Sequence, residues 1–144
     1  MFGDKGRYIW MVRDPFELYY SMSNIAKAAH VNKVSVEDFC ALVNSRMELM
    51  TLQSAPTIFL KYEDLITQPE SEIQQLADFL EIENTDALSI PTKNGVAWKG
   101  NSSRGKIASK IYENPLVAKE KIDSSEVAYI QAHCSAFCEL FEYR

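Results

Sequence analysis

The feature that most constrains the fold is the stretch from Tyr8 to Pro15, where a short apolar run ends in an arginine and a helix start follows. The run from Tyr8 to Val12 is aromatic and β-branched and too short for a typical helix, so it predicts a buried strand. Asp14 is a good N-cap, and Pro15 suits the first helical position because its missing N–H costs nothing there. The stretch therefore predicts a strand–helix junction with Arg13 at the carboxyl end of the strand.

Two interpretations of this junction are open from the residues alone. Ligands bind at the carboxyl ends of strands in open α/β sheets, and the amino ends of helices favour anions. The planar guanidinium of Arg13 matches the oxygens of a phosphate or sulfate. An Arg-Asp pair can equally be a helix cap with a surface ion pair, because a cap is worth only ~1 kcal/mol and needs no ligand.

The rest of the chain alternates helical and strand patterns, which predicts an α/β fold with a parallel sheet. A second apolar run over residues 57–62 lacks alternation and is typical of a strand buried on both faces. Apolar spacing and capping residues predict helices over 15–30, over 36–53 after a cap at Ser35, over 69–81, and in a last segment capped by Ser124-Ser125-Glu126.

Length and charge limit the function classes. The 144 residues suit one domain or part of a larger one, and the net charge of −5 argues against a nucleic-acid-binding surface. No apolar run approaches the ~20 residues needed to cross a bilayer. Residues 1–6 lack the hydrophobic core of a signal peptide, so we expect a cytoplasmic location by default.

The cysteines do not predict a disulfide framework or a metal site. Cys134 and Cys138 lie four residues apart in a predicted helix, with His133 beside them, and Cys40 is distant in sequence. Thiols at this spacing are usually core residues. A structural zinc site needs about four ligands, and no further cluster supplies them, so we expect no metal.

Arg13-Asp14-Pro15 with Ser21 eight positions after the arginine resembles the 3′-phosphate-binding motif of sulfotransferases that use 3′-phosphoadenosine 5′-phosphosulfate (PAPS). The resemblance implies that Arg13 and Ser21 bind the 3′-phosphate. The run Leu60-Lys61-Tyr62-Glu63-Asp64-Leu65, followed by a helix ending in Phe79-Leu80, is similar to a second segment of the family. It implies that Tyr62 lies near the adenine nucleotide, although a tyrosine packed between helices at a strand end fits equally well.

A late basic loop supplies the remaining predicted site residues, Lys99, Gly100, Asn101 and Ser102. Glycine exposes backbone N–H groups, and a neighbouring lysine adds charge, so such a loop can bind an oxyanion or can simply be solvated. The Gly-Asn-Ser-Ser stretch resembles a loop that folds over the nucleotide in sulfotransferase-like proteins. That resemblance implies a nucleotide-binding role for these four residues.

The resemblance implies a three-layer, parallel-sheet fold like that of the P-loop NTPases, formed by a single partial domain over residues 1–144. The complete enzyme would transfer a sulfuryl group from PAPS to a hydroxyl or amine, and this chain would hold the part that binds the 3′-phosphate of PAPS or of 3′,5′-ADP. The loop for the 5′-phosphosulfate finds no match, and no catalytic base or acceptor is predicted. The alternative is a non-catalytic nucleotide-binding or protein-interaction remnant of the fold.

A sheet that lacks its amino-terminal strands has unpaired backbone groups and uncovered apolar faces. We therefore expect the chain to associate with itself or with a missing amino-terminal part.

Overall fold

The computed structural model describes residues 6–90, 92–93, 95–97 and 118–143. These residues divide into two compact units by their contacts. The first unit holds residues 6–12 and the described residues of 56–97, and the second holds 13–55 and 118–143. In chain order the elements are β1 (Tyr8–Val12), α1 (Pro15–Ala28), α2 (Val36–Thr51), β2 (Thr57–Lys61), α3 (Tyr62–Thr67), α4 (Pro69–Leu80), a 3₁₀ turn (Asp86–Ser89), β3 (Thr92–Lys93), β4 (Val96–Ala97), α5 (Ala118–Lys121), α6 (Ser124–His133) and α7 (Ser135–Leu140).

A parallel pair of strands organises the first unit and confirms the predicted α/β class. Tyr8 lies opposite Thr57 and Val12 opposite Lys61, so β1 and β2 pair along their whole length. The backbone N–H of Tyr8 extends the pairing by donating to the carbonyl of Pro56 at 2.9 Å. Parallel strands need a long crossover, and the segment between β1 and β2 carries α1 and α2. β3 and β4 form a separate antiparallel pair.

The prediction that both strands are buried is wrong for most of their side chains. Ile9 and Met11 of β1 and Phe59 of β2 are 42–55% exposed, whereas Val12 and Leu60 are 2% exposed. The cause is that the described residues pair β1 and β2 only with each other. A two-stranded sheet leaves much of its apolar surface uncovered, as the sequence led us to expect. The association that would cover this surface stays a prediction.

Helices form the second unit around an aromatic and aliphatic core. The Tyr19 ring of α1 meets the Phe39 ring of α2 with centroids 5.0 Å apart, and both side chains are buried. Ile130 of α6 is fully buried, and α1 and α2 both contact this helix. The cap at Ser35 is confirmed, because its hydroxyl accepts the Asp38 N–H at 3.0 Å.

Several predicted boundaries differ from the structure. Two elements end one residue earlier than predicted, β2 at Lys61 and α4 at Leu80. α1 stops at Ala28 because His30 takes a left-handed conformation with φ of 55°, and α2 stops at Thr51. The predicted last helix is two helices, because Cys134 departs from helical geometry with φ of −108° and ψ of 15°. Its amino-terminal cap is Asp123, whose carboxylate accepts the Ser125 N–H at 2.9 Å.

Candidate anion-binding site

The strand–helix junction has the predicted Asp14 cap. This cap occupies the backbone N–H groups at the amino end of α1, which had been expected to favour an anion. One carboxylate oxygen of Asp14 accepts the N–H groups of Phe16 at 2.8 Å and Glu17 at 3.1 Å. Pro15 has no N–H, and the next N–H along α1 donates to the Asp14 carbonyl at 2.9 Å. The first-turn donors are therefore occupied and Asp14 carries a negative charge, so the amino end of α1 does not itself offer an anion site. Any anion at this junction must be held by side chains.

Arg13 lies next to an acidic residue that the sequence analysis did not single out. Its Nη2 is 4.0 Å from Oε2 of Glu17, and the two side chains are 20% and 6% exposed. Oε1 of Glu17 accepts the backbone N–H of Ala118 at 2.8 Å. Glu17 therefore links the start of α1 to α5 and places a carboxylate beside the guanidinium. This arrangement orients Arg13 and offsets part of its charge.

Ser21 lies on α1 four residues after Glu17, which places both on the same side of the helix. It is half-buried, and its hydroxyl makes no hydrogen bond to the described residues. Ser23, by contrast, donates a hydrogen bond to the Tyr19 carbonyl at 2.9 Å, an arrangement that is common for serine within a helix. The Ser21 hydroxyl is therefore available to a ligand.

The structure does not test the site roles predicted for the other residues. Tyr62 is half-buried and belongs to the first unit, where it begins α3 instead of ending β2. Lys99, Gly100, Asn101 and Ser102 lie outside the described residues. The nucleotide-binding roles of all these residues stay predictions.

A surface cleft of about 270 Å³ lies wholly within the second unit, on a different side of α1 from Ser21. We call it the lysine cleft; the residues that line it are Tyr19, Tyr20, Ser23, Asn24, Lys27, Val31, Lys33, Lys121, Ile122 and Glu126. Glu126 accepts hydrogen bonds from the Tyr19 hydroxyl at 2.7 Å and from Lys33 Nζ at 2.7 and 2.9 Å. Lys33 Nζ also lies 4.7 Å from the centre of the Tyr19 ring.

This polar cluster shifts the titration of its members. Burial raises the pKa of Glu126, but the hydrogen bonds from Lys33 and Tyr19 outweigh it, so the pKa is lowered overall. Burial lowers the pKa of Lys33, but its bonds to Glu126 and Tyr19 raise it overall. Burial and the bond to Glu126 raise the pKa of Tyr19. Glu126 and Lys33 are therefore a charged pair at neutral pH, and Tyr19 is neutral.

Sequence reasoning missed the lysine cleft because Lys33 and Glu126 are 93 residues apart. The sequence placed Glu126 in a helix cap and gave no sign that Lys33 lies beside it. The available signal was on α1, where Tyr20, Asn24 and Lys27 recur at helical spacing and define one polar face.

The described residues contain no group of three or more histidine, cysteine or acidic side chains placed to hold a metal. The three cysteines are free thiols, and burial raises the pKa of each, so they stay protonated. Cys40 and Cys134 are both buried. Within the described part of the chain, no helix combines the length and apolar character needed to span a membrane.

The parallel strands and helix-rich units define an α/β protein, and comparison with known proteins gives its family. Residues 4–86, more than half of the chain, match the model of the sulfotransferase family. The chain therefore belongs to the sulfotransferase family. The matched residues include Arg13, Ser21 and Tyr62 and end before Lys99.

A solved structure supports the same fold. The chain resembles the sulfotransferase domain from the curacin biosynthetic pathway with a TM-score of 0.53 and 18% identity. The alignment covers 88% of this chain and 52% of that one, so this chain spans about half the length of that domain. At this identity the likeness concerns the fold alone. No curated protein sequence matches the chain.

Proposed function

We propose that this chain forms the part of a PAPS-dependent sulfotransferase that binds the 3′-phosphate of the donor, with Arg13 and Ser21 as the two contacts. In the complete enzyme, transfer would form a bond from sulfur to an acceptor hydroxyl or amine as the S–O bond to the 5′-phosphate breaks, leaving 3′,5′-ADP. Family membership over residues 4–86 carries this proposal, because the matched segment contains both residues.

The side chains present are compatible with a bound phosphate. Arg13 remains 20% exposed and supplies a charged donor fork, and Ser21 supplies a hydroxyl that no described residue uses. Charged hydrogen bonds contribute roughly 1.5–3 kcal/mol each. These two contacts alone would therefore give weak binding, with a dissociation constant on the order of 1 mM.

Tyr62 and the loop over residues 99–102 are proposed to complete the nucleotide site, Tyr62 near the adenine and the loop over the nucleotide. Their role would be to hold the donor in position, because sulfuryl transfer, like phosphoryl transfer, depends on alignment and charge stabilisation. No residue of this chain is proposed as the catalytic base.

Calorimetry with 3′,5′-ADP tests the 3′-phosphate assignment. Arg13→Ala should weaken binding at least tenfold, and Ser21→Ala should weaken it less because a neutral hydrogen bond is lost. Adenosine 5′-monophosphate should bind no better to the parent protein than to Arg13→Ala, since it lacks the 3′-phosphate. Arg46→Ala is the matched control, because Arg46 is an exposed arginine on α2. No heat with the parent protein, or equal binding by Arg13→Ala, would reject the assignment.

A non-catalytic nucleotide-binding or protein-interaction remnant of the fold is the second candidate; the carboxylate of Glu17 beside Arg13 favours a weakened donor site, since it offsets the charge that a phosphate would meet. The discriminating assay follows release of 3′,5′-ADP from PAPS in the presence of hydroxyl and amine acceptors. Binding of 3′,5′-ADP without its release from PAPS identifies this candidate. Release that depends on an acceptor identifies the enzyme.

A further inference from the structure

The lysine cleft contains more positive charge than its acidic neighbours neutralise. Lys33 is paired with Glu126, and its Nζ contacts both carboxylate oxygens. Lys27 and Lys121 also line the cleft, and neither forms an ion pair with a described residue. Lys121 Nζ lies 5.6 Å from the centre of the Tyr20 ring, which also lines the cleft. Two ammonium groups therefore face one concave surface without a counter-charge among the described side chains.

The carboxylates of Glu126 and Asp123 are hydrogen-bonded within the protein. Both oxygens of Glu126 accept hydrogen bonds from Lys33 Nζ, and one of them also accepts a hydrogen bond from the Tyr19 hydroxyl. One carboxylate oxygen of Asp123 accepts both the backbone N–H of Ser125 at 2.9 Å and its hydroxyl at 2.6 Å. These bonds occupy both oxygens of Glu126 and one oxygen of Asp123. Glu126 itself lines the cleft, where it is paired with Lys33, whereas Lys27 and Lys121 form no ion pair with a described residue.

Neutral donors complete the lining. Asn24 and Tyr20 line the cleft, and neither side chain makes a hydrogen bond to a described residue. An amide and a phenol beside two ammonium groups provide both charge and directional hydrogen bonds for tetrahedral oxygens. Tyr20 and Ile122 add apolar surface on which a small organic group can pack. Every residue that lines the cleft belongs to the second unit.

We propose that the lysine cleft binds a small ester that carries a tetrahedral oxyanion, either a phosphate or a sulfate monoester. Its volume of about 270 Å³ lies near the lower end of the ~300–1,000 Å³ of sites that take drug-sized ligands, which suits a sugar-sized ester. This site is separate from the 3′-phosphate site proposed at Arg13 and Ser21 and does not depend on it. Its contacts are Lys27 and Lys121, with Asn24 as a hydrogen-bond donor.

Amide chemical shifts of the labelled full chain test this proposal during titration with glucose 6-phosphate and, separately, glucose 6-sulfate. Binding should move the amide signals of Tyr20, Asn24 and Lys121. The phosphate ester should bind more tightly because it is close to a dianion at neutral pH. Binding of either ester at these residues supports the site. Tighter binding of the phosphate ester assigns it to phosphate monoesters, whereas equal or tighter binding of the sulfate ester, despite its smaller charge, assigns it to sulfate monoesters. If neither ester moves these signals, the proposal is wrong.

Charge-removing variants give the second measurement. Lys27→Gln and Lys121→Gln should each weaken binding about fivefold, the size expected for one partly exposed charge contact, and added salt should reduce this difference. Arg46→Gln is the matched control, since it removes one exposed positive charge elsewhere in the same unit. Equal affinity in all three variants would overturn the proposal. Arg13→Ala should leave ester binding unchanged, which separates failure here from failure of the nucleotide site.

Discussion

Replacing Glu17 with alanine should destabilise the second unit strongly. Glu17 is only 5% exposed. One of its oxygens accepts the Ala118 N–H at 2.8 Å, and the other lies 4.0 Å from Nη2 of Arg13. Alanine removes both interactions. Glutamine removes the charge but keeps a carbonyl oxygen that can accept from Ala118.

The geometry sets the size of the two effects. Leaving the buried Ala118 N–H without an acceptor costs about 1–3 kcal/mol. The ion pair contributes less, about 1 kcal/mol, because 4.0 Å is the limit of the contact and Arg13 retains some exposure. We expect a loss in the free energy of unfolding of about 3 kcal/mol for Glu17→Ala and about 1 kcal/mol for Glu17→Gln.

Urea denaturation followed by far-ultraviolet circular dichroism measures these losses, and hydrogen exchange at the Ala118 amide locates them. Exchange at this amide should accelerate in Glu17→Ala and stay slow in Glu17→Gln. Glu120→Ala is the control, because Glu120 is an exposed acid on the same helix, α5, and its loss should be within about 0.5 kcal/mol of zero. Equal stability of Glu17→Ala and the parent, or equal exchange in the two Glu17 variants, would refute the reasoning.

Two further predictions concern the cap and the polar cluster. Asp14→Ala should lower the free energy of unfolding by about 1–2 kcal/mol, because Asp14 accepts two first-turn N–H groups, and Asp14→Asn should cost less in the same urea experiment. Because the pKa of Glu126 is lowered by folding, its pairing with Lys33 stabilises the protein above the ordinary carboxyl pKa of 4.5, and this stability is lost as the pH falls through the folded-state pKa. Stability profiles at acid pH should therefore fall less steeply for Glu126→Gln than for the parent, and parallel profiles would contradict this.

The local features of the fold were readable from the sequence. β1 occupies the predicted residues 8–12, β2 begins at Thr57, and α1 begins at Pro15 under an Asp14 cap. Each depends on interactions within a few residues, such as capping bonds and the fixed φ of proline, which neighbouring side chains determine. The errors are the predicted burial of β1 and β2 and the positions of several element ends. The break at Cys134 occurs where both flanking turns carry an apolar pattern, so the pattern alone gave no sign of it.

The candidate site divides in the same way. Arg13 and Ser21 were predicted because the strand–helix junction and the spacing of eight residues that resembles the sulfotransferase motif lie within one continuous segment. Glu17 was missed as a partner of Arg13 because its position depends on α5, which lies about a hundred residues later in the chain. The Ala118 N–H of α5 donates a hydrogen bond to the Glu17 carboxylate and orients it. The roles of Arg13 and Ser21 in nucleotide binding await the calorimetry described above.

The sequence alone determined the strand–helix junction, the order of the helices and the motif that predicted the family, because these reside in short-range spacing and in the chemistry of adjacent residues. Tertiary structure decided which charges meet. It brought Lys33 to Glu126 and Lys121 to the side of α1 that carries Tyr20 and Lys27. Coulomb and hydrogen-bond energies depend on distances of a few ångströms, and packing of distant helices sets those distances.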